Sequence, residues 1–294
     1  MNDKHIATDE EREKAFRLLF LMFRDILNTA KCELPENDIR QYASGLAIKI
    51  FRQICSMKLL MDGSPIPYED KAQGNYDFAS IDCVGRSIIE TYLIYHWIFV
   101  ASTWEEEQEF KYFAWILGSL LDRQKNYPME TYRNLQELDV KEEVPDVPKA
   151  LENDKREIEK IRKLLLANKF YVQEIGKLPT SDQRRQRYDA MTRDGWYPSG
   201  WQHLQKGVPA FDRKNVHQVL SHAVHSGYTL IRQITHARTG EDQRLLANFA
   251  FSLTLMVMAR LSYEYVDVFP HAAAAFDRHL EGRILADVLR KQEA

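Results

Sequence analysis

Apolar residues recur along most of this chain at intervals of three and four, the spacing that turns one face of an α-helix toward a core. Phe16, Leu19, Phe20, Phe23 and Leu27 follow this rule behind Thr8 and Asp9, either of which suits a helix cap, and predict a helix to about residue 31. Leu34-Pro35-Glu36-Asn37-Asp38 breaks it. Ala43, Leu46, Ile50, Ile54 and Met57 then set the inward face of a second helix over 37–61. A Gly, Pro and Asp-rich loop at 61–77 leads to a third helix over 78–100, with Asp77 or Ser80 as its cap. Its apolar positions cover most of the circumference, so neighbours must bury it on several sides. It is the expected centre of the fold. Thr103 and the acidic turn Glu105, Glu106 and Glu107 open a fourth helix to about Lys125. Phe110, Phe113, Ala114, Leu117 and Leu121 form its apolar side.

The pattern changes after residue 126. Pro145 and Pro148 sit among acidic residues, and 139–149 reads as a polar loop. The stretch 150–168 is dense in charge with a narrow apolar seam, as in a solvated helix or hairpin arm. Arg184-Arg185-Gln186-Arg187 is a short basic run suited to a surface, and only secondarily to phosphate. Residues 194–212 read as a loop carrying two tryptophans. A helix is predicted from Asp212 to about His236, with Gly240 as its stop. Another covers 241–268, with an apolar run too short and too interrupted by Asn248, Ser252 and Thr254 to cross a membrane. Pro270 precedes a terminal helix over 271–290. No alternating run is long enough for a sheet. The expected architecture is all-α: a multi-helix bundle forming a single helical domain over 1–294, with a charged helical or loop insertion, or lid, at 126–200.

Composition narrows the functional classes. The formal charge of −3 supplies no global basic field for nucleic acid. Cys32, Cys55 and Cys83 are odd in number, contain no CxxC pair and lie in apolar helical contexts, which predicts reduced thiols and a cytoplasmic setting. The opening MNDKHIATDEEREK is charged and lacks the apolar centre of a secretory signal. No cofactor and no membrane association is expected.

Two polar stripes stand out against the apolar pattern. Asp82, Arg86 and Glu90 are spaced four apart on the third helix, beside Ile89, Leu93 and Trp97. Charges in such surroundings are costly unless paired, so an internal Arg–Glu pair is one reading and a cleft that meets a ligand is the other. On the 213–236 helix, His217, Ser221 and His225 share a face that Tyr228, Arg232 and His236 continue. Histidine is the first candidate for proton transfer near neutral pH. No third group to aim a Ser221–His225 pair is evident, and neither HExxH nor a second carboxylate–His pair supports a metal.

Two segments carry a resemblance. Arg86-Ser-Ile-Ile-Glu90 resembles the Arg-x-x-x-Glu helix of an uncharacterised family of bacterial helical proteins associated with the HEPN-like superfamily, and Ser221-His-Ala-Val-His225-Ser226 resembles its Ser-x-x-x-His signature. The resemblance implies a helical bundle that binds or acts on RNA or nucleotide, in bacterial defence or stress, as a homodimer. Many HEPN proteins are metal-independent ribonucleases with an Arg and a His separated by four to six residues. This chain departs from that spacing: Arg213 to His217 and Arg232 to His236 have only three residues between them. The expected site is therefore composite, with Arg86, Glu90, Ser221 and His225 as the catalytic group and His217, Tyr228, Arg232 and His236 binding substrate. The competing expectation is a non-catalytic interaction or dimerisation module in which Arg86, Glu90 and His225 are internal partners.

Overall fold

The computed structural model describes residues 8–29, 34–35, 38–63, 76–126, 147–194, 204–205, 207–212, 216, 219–221, 228–236 and 239–291. Among them there are twelve α-helices, one short 3-10 helix and no strand, so the chain is an all-α multi-helix bundle. Two compact units divide it: Met1–Ala101 with Trp201–Ala294, and Ser102–Gly200.

The first unit is built on helix α3 (Phe78–Phe99), preceded by α1 (Asp9–Thr29) and α2 (Arg40–Met61). Thr8 and Glu11 form a reciprocal cap on α1: the Glu11 amide donates to Thr8 Oγ1 at 3.2 Å, and the Thr8 amide donates to Glu11 Oε2 at 3.0 Å. Asp77 caps α3, accepting from the Ser80 amide at 3.1 Å. All five residues expected on the inner face of α2 are buried. On α3, Ile81, Ile88, Tyr92, Tyr95 and Ile98 are wholly inaccessible, as expected of a helix covered on several sides.

The other wall comes from the far end of the sequence. Helix α10 (Gly240–Val268) packs against α3, and it follows the shorter α8 (Pro209–Asp212) and α9 (Tyr228–His236). Gly240 does not stop α9; it is the first residue of α10. Thr239 caps α10 in a reciprocal box with Asp242, at 3.1 and 3.2 Å. The capping side chains, not the glycine's freedom, decide this boundary. Contrary to expectation, α10 is long and apolar enough by length and composition to cross a bilayer, because the helix runs unbroken through Asn248, Ser252 and Thr254. Thr254 and Ser262 satisfy their hydroxyls on carbonyls one turn back, so they do not interrupt it. Most of its length is buried inside this unit.

The predicted single terminal helix is instead three pieces: the 3-10 turn Pro270–Ala272, α11 (Ala273–Asp277) and α12 (Leu280–Lys291). The chain bends at Arg278 and His279, where His279 Nε2 reaches Asp25 Oδ2 of α1 at 2.9 Å. Gly282 then lets α12 lie directly on α1, since a Cβ there would come within 3.2 Å of the Leu18 carbonyl and Met22 Sδ.

The second unit holds α4 (Glu105–Asn126), α5 (Val147–Ala167), α6 (Lys169–Gly176) and α7 (Ser181–Asp194). α4 and α5 run antiparallel. Arg123 near the end of α4 meets Asp154 near the start of α5, with Nε donating to Oδ2 at 2.6 Å, while Asn168 just beyond α5 reaches the Glu106 carbonyl at 3.0 Å. The charge-rich α5 buries Leu151, Asp154, Ile158, Ile161 and Leu165, spaced three and four apart. Its seam therefore packs against α4, and only its remaining face is solvated. Asn168 also caps α6, accepting from the Phe170 amide at 2.9 Å, and Phe110 stacks on Tyr171 with ring centroids 5.6 Å apart. Arg184, Arg185 and Arg187 lie on the exposed surface of α7.

The α3–α10 contact is tight at Gly85, where a Cβ would stand 2.9 Å from Ala250 Cβ and 3.4 Å from Met57 Cε. Gly85→Ala gains about 1 kcal/mol of helix propensity but forces two helix backbones apart, a cost of about 1–3 kcal/mol. The expected net result is a lower melting temperature, read by circular dichroism. An unchanged or raised value would mean that the helices separate without strain.

Candidate functional site

Helix α3 presents two polar faces, one foreseen from the sequence and one not. On the foreseen face, Arg86 Nε donates to Glu90 Oε1 at 2.8 Å, and the two side chains are only 17% and 24% exposed. The i, i+4 spacing alone places them together. One turn back, Asp82 does not join the pair. Its Oδ1 is buried with no hydrogen-bond partner among the described residues, and burial pushes its carboxyl up to about 7. Arg86 Nη1 is likewise buried without an acceptor among the described residues.

The remaining expected site residues gather less clearly. Ser221 is helical and half-buried, while Arg232 and His236 are exposed on α9. His217 and His225 lie outside the described residues, as does the side chain of Tyr228, which begins α9. The expected convergence of Ser221 and His225 on Arg86 and Glu90 therefore falls outside the described residues.

The unforeseen face is the more deeply buried. Tyr92 and His96, one turn apart on α3, meet Arg260 and Glu264, one turn apart on α10. The Tyr92 hydroxyl donates to Glu264 Oε1 at 2.8 Å, His96 Nδ1 lies 3.0 Å from the same oxygen, and Arg260 Nε donates to the Tyr92 oxygen at 3.0 Å. A carboxylate only accepts, so the matching tautomer carries its proton on Nδ1. Glu264 Oε2 is buried with no hydrogen-bond partner among the described residues. Burial first, and then the Glu264 charge, drive the Tyr92 phenol far above its ordinary range. Phe211 closes over Tyr92 edge-on, at 5.8 Å between ring centroids.

Chemically, a carboxylate that fixes an imidazole by Nδ1 leaves Nε2 as the proton-exchanging atom. Catalysis also requires a nucleophile or a reacting group beside that nitrogen, and the contacts of His96 with Glu264 and Tyr92 supply neither. The four side chains instead bolt α3 to α10, each charge meeting a polar partner from the opposite helix. A complementary signal was present in the sequence, a Tyr/His pair and an Arg/Glu pair at helical spacing on the two most apolar helices, but nothing there showed that the pairs face each other. Among the described residues, no three His, Cys, Asp or Glu side chains gather closely enough to hold a metal ion.

Two outcomes follow for stability. Glu264→Ala leaves Arg260 and His96 facing a void and lowers unfolding free energy by about 3–5 kcal/mol in denaturant titrations; a loss under about 1 kcal/mol would show that the bolt carries little. Asp82 acts in the opposite sense. Its folded pKa lies above the unfolded value, so from about pH 4 to about pH 7 the unfolded chain gives up a proton that the folded chain keeps, and stability falls as pH rises. Asp82→Asn is expected to match the parent below about pH 4 and to exceed it by about 1–4 kcal/mol above about pH 7. A constant difference across that window would mean that Asp82 titrates normally.

No protein-family model, curated protein or solved structure matches this chain, so these contacts are read on their own chemistry.

Proposed function

We propose that the chain is a non-catalytic interaction and dimerisation module, with Arg86 and Glu90 as internal structural partners. The observation that carries this reading is the closed Arg86–Glu90 pair, 2.8 Å apart and mostly buried. A guanidinium that is to grip a phosphate offers its donors to solvent, whereas this one spends Nε on its own helix. The Tyr92–His96–Arg260–Glu264 cluster supports the same view, since its polar atoms are directed at each other between two core helices.

A second reading keeps a specific observation on its side. Arg86 Nη1 lacks an acceptor among the described residues, and Asp82, one turn away, holds its proton up to about neutral pH. An arginine beside a carboxyl that titrates near 7 suits phosphodiester chemistry, the arginine meeting charge and the carboxyl moving a proton. That arrangement favours an HEPN-like protein that binds or acts on RNA or nucleotide without a metal.

One set of variants separates them. For the module, Arg86→Ala and Glu90→Ala each lower unfolding free energy by about 1–3 kcal/mol, the apolar pair Arg86→Met with Glu90→Leu restores most of it, and the parent chain binds neither single-stranded RNA nor ATP in fluorescence anisotropy. Parent binding to either ligand that Arg86→Ala abolishes, with the melting temperature unchanged, would overturn the module and establish the second reading.

A further inference from the structure

Helices α6 and α7 of the second unit meet at an elbow, and a cleft of about 510 Å³ opens between them, within the usual range of small-molecule sites. Local bonds fix the elbow. The Leu178 amide donates to the Ile175 carbonyl at 3.0 Å, and Arg184 Nε donates to the Leu178 carbonyl at 3.0 Å. Thr180 Oγ1 accepts from the Gln183 amide at 3.2 Å and so caps α7. Each wall is then one helical face. On the α6 side Tyr171, Ile175 and Leu178, spaced four and three apart, form an apolar strip about 10 Å long. Tyr171 is buried and held by its stack on Phe110, while Ile175 and Leu178 are half-buried. On the α7 side Gln183, Gln186 and Arg187, spaced three and one apart, line the cleft.

Two helices packed only for stability turn apolar side chains toward each other. Here two amides and a guanidinium face an apolar strip across open space, so the cleft matches a ligand that carries both chemistries. Its charge is set by two groups. Glu174, the one carboxylate lining the cleft among the described residues, is ion-paired with Lys177 at the end of its own helix. Arg187 is the one cation lining it among the described residues. Burial lowers the Arg187 pKa, against the opposing pull of Tyr171 and Glu174, and a guanidinium partly withdrawn from water gains by meeting an anion. Its five N–H donors form a fork that suits a bidentate carboxylate. A single cation beside Glu174 matches one negative charge and disfavours the two of a phosphate. The long aliphatic strip matches an extended chain. We propose that the α6–α7 cleft binds a medium-chain aliphatic monocarboxylate, its head held by Arg187 and the Gln183 and Gln186 amides and its chain laid along Ile175 and Leu178. This goes beyond the interaction module and uses none of its residues.

Isothermal titration calorimetry of the full chain with octanoate tests this, with acetate and octanol as the head and the chain alone. Octanoate is expected to bind at one site in the micromolar to millimolar range, and each half-ligand about tenfold or more weaker. Arg187→Gln weakens octanoate about tenfold or more with the melting temperature unchanged. Leu178→Ser weakens it as well, whereas Arg185→Gln, on the same helix but not lining the cleft, leaves it unchanged. No octanoate binding up to millimolar concentration overturns the proposal. So does octanol binding as tight as that of octanoate, or octanoate binding indifferent to Arg187→Gln. None of these results touches the Arg86–Glu90 argument, which fails only if the parent chain binds RNA or nucleotide through Arg86.

Discussion

A helix with apolar residues on nearly every side must be surrounded, and α3 is surrounded. That requirement organises the first unit. α2 covers one side, and α10 approaches so closely at Gly85 that no larger residue fits without moving a backbone. Close approach also dictates where polar groups go. Tyr92 and Glu264 are buried and His96 and Arg260 are mostly covered, so each is best paired across the same contact. Packing and polar pairing therefore reinforce one another between the same two helices. The cost of losing the carboxylate exceeds that of one hydrogen bond, because its donors would remain buried without it.

The all-α character and most helix boundaries were legible because they depend on local signals. Asp77 and Thr8 cap where short polar side chains precede an apolar period, and the inner face of α2 follows from spacing alone. Errors arose where a local signal competed with another local or a distant one. Gly240 has the residue type of a helix stop, yet Thr239 and Asp242 form a better start around it. The break at His279 depends on Asp25, which is remote in sequence. The seam of α5 was visible as a narrow apolar line, but only the presence of α4 makes it buried.

The candidate site divides in the same way. The Arg86–Glu90 pair was readable because both residues sit on one helix, where spacing fixes distance. The cluster around Glu264 was not, since it pairs one half of the chain with the other and each half looks ordinary alone. Asp82 lies between these cases. Its position on the stripe was clear, but its separation from Arg86, and hence its raised proton affinity, depends on rotamer and burial.

The order of the units along the chain has a consequence for how the protein is made. Tyr92 and Glu264 are 172 residues apart in sequence, and the whole second unit is synthesised between them. The second unit joins neighbours such as α4 and α5, α5 and α6, so its loops close cheaply and it can assemble early. α3 emerges before the second unit yet must wait for α10, which is made after it. During that wait the side of α3 that α10 will cover stays open, which leaves the nascent first unit with apolar surface of the kind that chaperones bind.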